Sequence, residues 1–298
     1  MLKYISAGTY FRNLFGCKVY KLALGCSYTC PTRNPDGSGG CIFCGKEGSG
    51  EFAETCMSAA EVSGAISRAK KRVAAKTSDN AYIAYFQSYT STFIPAVRLK
   101  EVLSAAAVEE GIRAISIATR PDCLPDDVMR ILSETASTLP LFVELGLQTM
   151  HDRTAKLIKR GYDLKVYEDA AIRLKNAGAN VITHVILGLP GESAEDAAQS
   201  ARYAGELTDG IKLQLLYVLR GTELCDMYAR GKYRPLEMHE YVQMLCECVK
   251  ALPSKTVVHR LTGDPPKRLL VAPDWATDKK RVLSYINAEF EKQGIIRI

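Results

Sequence analysis

Residues 180–207 read NVITHVILGLPGESAEDAAQSARYAGEL, and their pattern indicates the class of fold. Residues 180–188 form a nearly continuous apolar run that ends at Gly188, which is typical of a strand covered on both faces. Residues 193–207 are predicted to form a helix with Glu195 and Asp196 in its early turns, where acidic groups stabilise a helix. The stretch therefore predicts one strand–turn–helix unit.

The same alternation of strand and helix runs along most of the chain. Apolar runs rich in β-forming residues predict six strands, at residues 18–25, 81–87, 113–118, 141–146, 180–188 and 210–218. Amphipathic segments predict the helices, at residues 58–76, 95–111, 125–137, 150–160, 165–178, 193–207, 222–230 and 236–252. The first of these helices is expected to begin with a capping box formed by Ser58 and Glu61.

Six strand–helix units predict an α/β fold in which helices cover a parallel sheet. The strand count fits a partial (β/α)6 barrel as well as a doubly wound sheet. In both folds the chemistry belongs at the C-terminal ends of the strands. Polar and glycine-rich positions follow those ends in this chain: a cysteine-rich loop, Gln87, Thr119, Arg120, Gln148 and residues 188–191.

We expect two parts in the chain, a core domain at residues 1–253 and a small C-terminal extension at residues 254–298. The extension contains one predicted strand, at 255–261, and one predicted amphipathic helix, at 278–293. With so few elements, it is expected to pack on the core rather than to fold alone.

Composition narrows the functional classes. The chain has 298 residues, a formal charge of +6 and ten cysteines. It has no run of about 18 apolar residues and no secretory signal at its start, so we expect a cytoplasmic protein with no membrane partner. A cytoplasmic chain keeps its thiols reduced, so clustered cysteines indicate metal binding or reactivity rather than disulfides. The mild basic excess permits a polyanionic partner but does not establish one.

Four cysteines fall within GCSYTCPTRNPDGSGGCIFC, residues 25–44, and two interpretations of them compete. Four thiolates suit a structural zinc ion, although such sites generally pair two short knuckles and Cys26-x3-Cys30 is a poor one. Three thiolates, from Cys30, Cys41 and Cys44, suit an iron–sulfur cluster with one iron open to a cofactor. The Gly- and Pro-rich residues between them can wrap around a bulky anionic group.

The spacing Cys30-x10-Cys41-x2-Cys44 resembles the cluster loop of radical SAM enzymes, in the longer form found in the catalytic subunit of elongator. Further stretches resemble the bacterial YhcC/YtqA family, in order along almost the whole chain: YIAYFQSYTSTF, SIATRPDCLPDDV, VELGLQTMHDRTAKLIKRGYD, THVILGLPGES, GIKLQLLYVLRGTELCDMY and RLTGDPPKRLLVAPDW. The resemblance implies a partial (β/α)6 barrel of the radical SAM type and a catalytic [4Fe-4S] cluster held by Cys30, Cys41 and Cys44. The position of Cys26 is not usually cysteine in that family, so Cys26 is expected to be a bystander.

The resemblance also implies that S-adenosylmethionine binds the open iron, and that one electron from the cluster yields a 5′-deoxyadenosyl radical. Gln87 matches the position that contacts the methionine amino group, and the turn at Leu187 and Gly188 matches the turn that packs against adenine. The expected cofactor-binding residues are Gln87, Thr119, Glu144, Gln148, Arg160, Leu187 and Gly188.

Several strand-end residues have an alternative role. Glu144 interrupts an apolar strand, so its carboxylate must be satisfied either by cofactor ribose hydroxyls or by an internal ion pair. Arg160 is assigned to the cofactor carboxylate, and otherwise to a solvated or phosphate-binding face. Arg120 suits a carboxylate of the cofactor or substrate, or a salt bridge to a neighbouring strand end. His184 is either structural or in contact with substrate, and Cys123 lies either in the core or in the active cavity.

For the reaction, the resemblance implies tRNA modification. Members of the YtqA type are implicated in converting the carboxymethylaminomethyl group at carbon 5 of the wobble uridine, uridine 34, to an aminomethyl group. The expected partners are tRNA and an external one-electron donor such as flavodoxin or ferredoxin. Two alternatives stay open: a radical SAM enzyme that acts on a small molecule or peptide, and a zinc-stabilised RNA-binding module.

Basic and aromatic residues are compatible with an RNA substrate. Basic residues that suit phosphate contacts cluster at residues 70–76, 153–160 and 279–281. Tyr28, Tyr89 and Phe93 are expected near the mouth of the barrel, where aromatic rings can stack an unpaired base. Each of these features equally fits surface solvation or core packing.

Overall fold

The structure is a computed structural model that describes residues 2–45, 48, 52–77 and 79–298. Its strands are β1 (Leu2–Ser6), β2 (Tyr20–Gly25), β3 (Glu54–Thr55), β4 (Tyr82–Phe86), β5 (Ile112–Thr119), β6 (Leu141–Gln148), β7 (Asn180–Leu187), β8 (Gly210–Leu215), β9 (Val218–Leu219), β10 (Val257–Arg260), β11 (Leu270–Ala272) and β12 (Ile295–Arg297). Its α-helices are α1 (Ala7–Phe15), α2 (Ala59–Val73), α3 (Ala96–Ala107), α4 (Asp126–Ala136), α5 (Asp152–Leu157), α6 (Leu164–Asn176), α7 (Ala194–Leu207), α8 (Glu223–Ala229), α9 (Met238–Ala251) and α10 (Lys279–Lys292).

The six predicted strands are confirmed as β2, β4, β5, β6, β7 and β8, which lie side by side in that order. All neighbouring pairs among them are parallel. Parallel neighbours need crossover helices, and the intervening amphipathic helices supply them. The architecture is the expected α/β fold with a partial (β/α)6 barrel.

Side chains of β6 point alternately to the helices and to the barrel interior. Every second side chain packs against the helices in the main hydrophobic core: these are Leu141, Val143, Leu145 and Leu147. The intervening positions face the inside of the curved sheet: these are Phe142, Glu144, Gly146 and Gln148. Since the in-register neighbours of these residues share their side of the sheet, the barrel interior can be traced from strand to strand.

An unpredicted helix, α1, closes the barrel at the N-terminal ends of its strands. Phe11 packs inside with Ile83, Ala114, Phe142 and Ile182. Its ring meets that of Phe142 edge to face, with centroids 5.4 Å apart. The interior is therefore plugged at this edge.

The C-terminal extension shares the core sheet. Its strand β10 pairs in parallel with β8 on one side and with β1 on the other. The last strand, β12, then pairs with β1, and the ring of Phe290 on α10 meets that of Tyr4 on β1. The predicted strand and helix of the extension are confirmed as β10 and α10.

One local prediction is wrong. Ser58 precedes α2 but makes no side-chain capping bond. The Glu61 carboxylate instead accepts a hydrogen bond from the backbone N–H of Met57 at 2.7 Å. The predicted capping box does not form because Glu61 reaches past the cap residue to the residue before it. A complete capping box begins α7 instead, between Ser193 and Asp196.

Candidate active site

The structure brings Cys30, Cys41 and Cys44 together after β2. The Cys41 and Cys44 thiols are hydrogen-bonded to each other, and the bond from Cys44 lowers the pKa of Cys41. Cys30 interacts electrostatically with both of the others. The Thr90 hydroxyl donates to Cys30 Sγ at 3.0 Å. Burial raises the pKa of Cys30, so a bound cation or cluster would have to stabilise its thiolate.

Backbone contacts hold the cysteine loop in place from the far side of the barrel. The Ile42 N–H donates to Ile158 O at 3.2 Å, and Ile42 O accepts from the Leu224 N–H at 2.8 Å. At Gly161 the chain passes so close to the loop that an added Cβ would lie 2.7 Å from Thr32 Cγ2. Gly161 also has a φ of +87°, which a side chain rarely tolerates. The loop is therefore part of the scaffold rather than a loose excursion.

The three thiols form a donor set that a four-iron cluster can use, because each thiolate binds a different iron. Within the ranges that the structure describes, no group of three or more His, Cys, Asp or Glu side chains is placed to hold one metal ion. The donor set of three thiols, partly shielded and close enough to interact, fits such a cluster.

Cys26 lies apart from these thiols, as expected of a bystander. It is fully buried in the main core, and its thiol donates to Ser91 O at 3.7 Å. Burial raises the pKa of Cys26 to about 12, which keeps the thiol protonated. Cys123 is also buried and lines a surface cavity of about 720 Å³ between α3, α4 and α6, outside the barrel interior.

Arg120 places a cation beside the cysteines. Its guanidinium donates to both carboxylate oxygens of Asp122, at 2.9 and 2.7 Å, and lies 4.9 Å from the centre of the Tyr162 ring. Its charge acts on Cys30 and Cys41. Arg120 therefore forms a salt bridge within its own turn rather than to a neighbouring strand end, and Asp122 leaves two N–H groups at Nη1 and one at Nη2 unused.

Gln148 ends β6 in an unusual conformation. Its φ is +63°, and the pairing of β6 with β7 shifts register between Gly146 and Gln148. Its Oε1 atom lies 3.1 Å from the Tyr162 hydroxyl, and its amide occupies the space that a side chain at Gly146 would need. Left-handed backbone at a non-glycine residue is strained, and such strain concentrates at functional sites.

Arg160 is placed differently from its predicted role. It is fully buried, and its donors reach Leu147 O, Thr149 O, Tyr162 O and an Asp152 oxygen. A guanidinium has five N–H groups, and these contacts use all five. No donor is left for a cofactor carboxylate, so Arg160 holds the end of β6 rather than a ligand.

The other expected cofactor residues divide between the two faces of the sheet. Gln87 directly follows β4 and Gly188 directly follows β7, so both lie at the edge of the sheet where the cysteines lie. Thr119 does not join them: its hydroxyl lies 2.5 Å from that of Thr92 on the helix-facing side. Leu187 is buried in the main core, so only its backbone borders the interior turn. The alternation of β5 gives the interior position to Arg120 instead of Thr119.

Glu144 forms an internal ion pair, the second of the two roles considered for it. It is fully buried, four residues before the end of β6. One carboxylate oxygen accepts from Lys21 Nζ at 2.5 Å, and the other contacts Lys212 Nζ and the Tyr85 hydroxyl. Burial raises the pKa of Glu144, but the charges of Lys21 and Lys212 outweigh burial and hold it well below its usual range.

His184 completes this group from β7. Its Nε2 atom lies 2.9 Å from Glu144 Oε2. Burial and the positive charge of Lys212 lower the pKa of His184 to about 4. The imidazole is therefore neutral at pH 7 and donates its Nε2–H to the carboxylate. The side chain of His184 keeps 19% of its exposure, so the interior is open to solvent here.

The partners of Glu144 were not predicted from the sequence. Lys21, Tyr85 and Lys212 all come from predicted strands, at positions that face the interior. Lys212 in particular stands within the apolar run GIKLQLLYV, and a lysine at such a position was a usable signal. Sequence spacing alone does not reveal that these side chains meet at one carboxylate.

The chain resembles known proteins along most of its length. The model of the radical SAM superfamily matches residues 38–204, and the model of the radical SAM C-terminal domain matches residues 208–292. The protein YtqA of Bacillus subtilis (strain 168) is 40% identical, over 98% of this chain and 91% of YtqA. The first model covers more than half of the chain.

Two more distant relatives connect the chain to elongator-type proteins. The tRNA uridine(34) acetyltransferase of Methanocaldococcus infernus is 27% identical, over 61% of this chain and 34% of that longer protein. The solved structure of archaeal Methanocaldococcus infernus Elp3 with an N-terminal deletion has a TM-score of 0.66 at 20% identity. It covers 79% of this chain and 59% of that one, and shows that the fold is shared over that length.

In the described ranges, the helices are too short or too polar to cross a membrane.

Proposed function

The chain belongs to the radical SAM superfamily, and from that premise we propose that it modifies the wobble uridine of tRNA. The proposed reaction converts the carboxymethylaminomethyl group at carbon 5 of uridine 34 to an aminomethyl group. S-adenosylmethionine would serve as the oxidant of the N–CH2 unit, water would then hydrolyse the bond between nitrogen and carbon, and the two-carbon unit would leave as an aldehyde-bearing carboxylate. The observation that carries the proposal is the relation to the tRNA uridine(34) acetyltransferase across 61% of this chain.

Enzymes of this superfamily use a [4Fe-4S] cluster and S-adenosylmethionine, so these are the cofactors of this chain. When bound, they supply the one-electron chemistry that yields a 5′-deoxyadenosyl radical. In the proposal Cys30, Cys41 and Cys44 hold the cluster. Their loop is tied to Ile158 and Leu224 by backbone hydrogen bonds, which would keep the thiolates at fixed positions.

We propose that S-adenosylmethionine binds to residues at the same edge of the sheet as the cysteines. Gln87 and Gln148 carry amide groups, and the turn at Gly188 offers backbone groups. Arg120 is the cation proposed to bind the cofactor carboxylate, since three of its five N–H groups remain after the two bonds to Asp122. Thr119 and Arg160 are left out of this set because their polar atoms are used within the protein.

The rim around the cysteines has surface features that suit RNA. Tyr28, in the cysteine loop, is 66% exposed, and Phe93 is 45% exposed. Exposed aromatic rings can stack an unpaired base. Lys159 lies on this rim, because Cys41 Sγ contacts its carbonyl. We propose that a splayed wobble base enters here.

Only part of the basic surface can take part. Lys70 Nζ donates to Glu110 O, just before β5, and Lys76 O accepts from the Tyr20 hydroxyl at the start of β2. These contacts place residues 70–76 at the N-terminal edge of the sheet, opposite the cysteines. The phosphate-binding role therefore falls to residues 153–159 and 279–281, since α5 and α10 begin at the cysteine edge.

The proposal places the reaction in the cytoplasm, with tRNA as substrate. It also requires an external one-electron donor, such as flavodoxin or ferredoxin, to reduce the cluster.

The test is a conversion assay under anaerobic conditions. The full chain is reconstituted with iron and sulfide and incubated with S-adenosylmethionine, a reductant and tRNA that carries carboxymethylaminomethyl-uridine. The tRNA is then digested to nucleosides and analysed by mass spectrometry. We expect loss of carboxymethylaminomethyl-uridine and appearance of aminomethyl-uridine, with neither change in a Cys30→Ala control.

The possible results distinguish the proposed substrate from the proposed radical chemistry. Formation of 5′-deoxyadenosine with an unchanged nucleoside profile would refute the tRNA proposal and leave a radical SAM enzyme with another substrate. One zinc per chain and no sulfide, in protein purified without air, would refute the cluster as well.

A further inference from the structure

The barrel interior contains a group of charged side chains below the cysteine edge, here called the charged layer. Its members come from six strands: Lys21, Tyr85, Glu144, His184, Lys212 and Arg260. Arg260 belongs to it because β10 pairs with β8 and aligns Arg260 with Lys212. The C-terminal extension thus contributes a residue to the interior.

Positive charge is in excess in this layer. Lys21 and Lys212 share the single carboxylate of Glu144. Arg260 donates to the neutral Gln214 Oε1 at 3.0 Å, and among the described residues no carboxylate pairs with it. His184 is neutral and donates a hydrogen bond to Glu144, so it does not change the charge balance of the layer. Three cations therefore face one anion.

Such an excess is costly in the free protein. A charge away from water requires a partner, and two ammonium groups at one carboxylate leave one of them uncompensated. Burial lowers the pKa of Lys212 well below its usual range, and the charges of Lys21 and Arg260 lower it further. An incoming anion would relieve this repulsion and stabilise the charged form of Lys212.

The charged layer is partly exposed, and the barrel is filled at its N-terminal edge. Lys21 keeps 24% and His184 19% of side-chain exposure although both face the interior. Beneath them Phe11, Phe142 and Ile182 fill the barrel. A ligand that enters past Gln148 would reach the charged layer and stop there.

We propose that the charged layer binds a carboxylate of the substrate, with Arg260 and Lys212 as its receptors and Glu144 as the fixed counter-charge that positions Lys212. This inference rests on the proposed function, whose substrate carries a carboxylate on the group that is removed. A guanidinium next to an ammonium suits a planar carboxylate, because Arg presents paired N–H groups and Lys adds a point charge. The layer would hold the acidic end of the side chain while the uridine remains nearer the cysteine edge.

The test measures binding without turnover, using the full chain reconstituted with cluster and S-adenosylmethionine but no reductant. One pair of probes is carboxymethylaminomethyl-uridine and aminomethyl-uridine, which differ in the carboxylate; a third is acetate, as a free acid. The variants are Arg260→Gln, which removes the charge, and Arg260→Lys, which keeps it. Arg113→Gln is the matched control, since Arg113 is exposed at the start of β5.

We expect the parent protein to prefer the carboxylate-bearing nucleoside, and Arg260→Gln to reduce that preference roughly 10- to 100-fold, as loss of a charged hydrogen bond does. Arg260→Lys should retain part of it, and Arg113→Gln all of it. In turnover with tRNA, Arg260→Gln should raise KM more than it lowers kcat.

Failure of this inference is distinguishable from failure of the proposed function. Binding of acetate that depends on Arg260, without any preference between the nucleosides, supports the charged layer as a carboxylate site but assigns it to a free acid and counts against tRNA. If the parent shows no preference for a carboxylate in either form, the inference is overturned, even if tRNA is converted. An equal preference in Arg260→Gln and in the parent also overturns it.

Discussion

The neutral state of His184 makes a quantitative prediction about stability. Burial and the nearby charge of Lys212 lower its pKa from 6.5 to about 4 in the folded protein. Between these values the unfolded chain holds a proton on this imidazole and the folded protein does not. Stability therefore falls as the pH is lowered from 6.5 to 4. Each pKa unit is worth about 1.4 kcal/mol, so His184 alone accounts for about 3 kcal/mol of this loss.

The perturbation is His184→Gln, which keeps an N–H donor for Glu144 but does not titrate. We expect the free energy of unfolding of the parent to fall by about 3 kcal/mol more than that of the variant between pH 7 and pH 4. Only this difference matters, because other carboxyl groups titrate in both proteins. Glu144 itself adds little to it, since Lys21 and Lys212 hold its pKa well below its usual range against the effect of burial.

Urea denaturation, followed by tryptophan fluorescence, measures these free energies. Trp275 is the single tryptophan, and its indole N–H donates to Leu236 O at 3.1 Å, so unfolding will change its surroundings. Both proteins are compared without metal and under reducing conditions. His239→Gln, an exposed substitution on α9, controls for the loss of a histidine as such.

Parallel stability curves for the parent and His184→Gln over this pH range would refute the reasoning. They would mean that His184 titrates in the folded protein as it does in the unfolded chain. In that case the interior around Glu144 would be far more hydrated than its contacts indicate.

Three further predictions concern the cysteines, the buried arginine and the barrel plug. Cys30→Ala should abolish uptake of iron and sulfide during anaerobic reconstitution, whereas Cys26→Ala should bind as much of both as the parent. Metal and sulfide analysis measures this uptake. Equal binding by the two variants would contradict the assignment of the cluster ligands. Arg160→Met should lower the free energy of unfolding by roughly 3–5 kcal/mol, because buried carbonyls lose their donors, and a urea midpoint within error of the parent would rule this out. Phe11→Ala should cost roughly 3–5 kcal/mol by opening a cavity, with the half-exposed Leu14→Ala as control within about 0.5 kcal/mol; similar losses for both would argue against the plug.

The sheet could be predicted because its six central strands carry their own signal. Residues buried on both faces of a parallel sheet are apolar at nearly every position, so a single sequence reveals them. Helix α1 carried no comparable signal. It has nine residues, and the side chains that cover Phe11 come from β4, β5, β6 and β7. Its place is fixed by contacts between distant parts of the chain, which no local pattern contains.

Neighbouring residues at strand ends show why the site was only partly predictable. Thr119 and Arg120 adjoin in sequence, yet the first faces the helices and the second the interior. Side chains alternate between the two faces of a strand. An error of one residue in the predicted position therefore assigns a residue of the hydrophobic core to the active site, or the reverse. Glu144 was recognised as needing partners, but the choice between a ligand and an ion pair depended on Lys212, 68 residues away.

Arg160 and Gln148 together explain how the end of β6 keeps a strained conformation. The Thr149 N–H donates to Leu147 O at 2.8 Å, which closes a three-residue turn around Gln148 at a φ of +63°. Such a turn with positive φ is rare and costs roughly 1–3 kcal/mol unless its surroundings fix it. Arg160 Nη1 donates to Leu147 O and Thr149 O, the carbonyls on either side of Gln148. The buried guanidinium therefore stabilises the one backbone arrangement that directs the Gln148 amide into the space left by Gly146, at the cysteine edge. Arg160 was predicted from the sequence to bind the cofactor. In the structure it acts through Gln148 instead, because its buried hydrogen bonds fix the backbone on both sides of that strained residue.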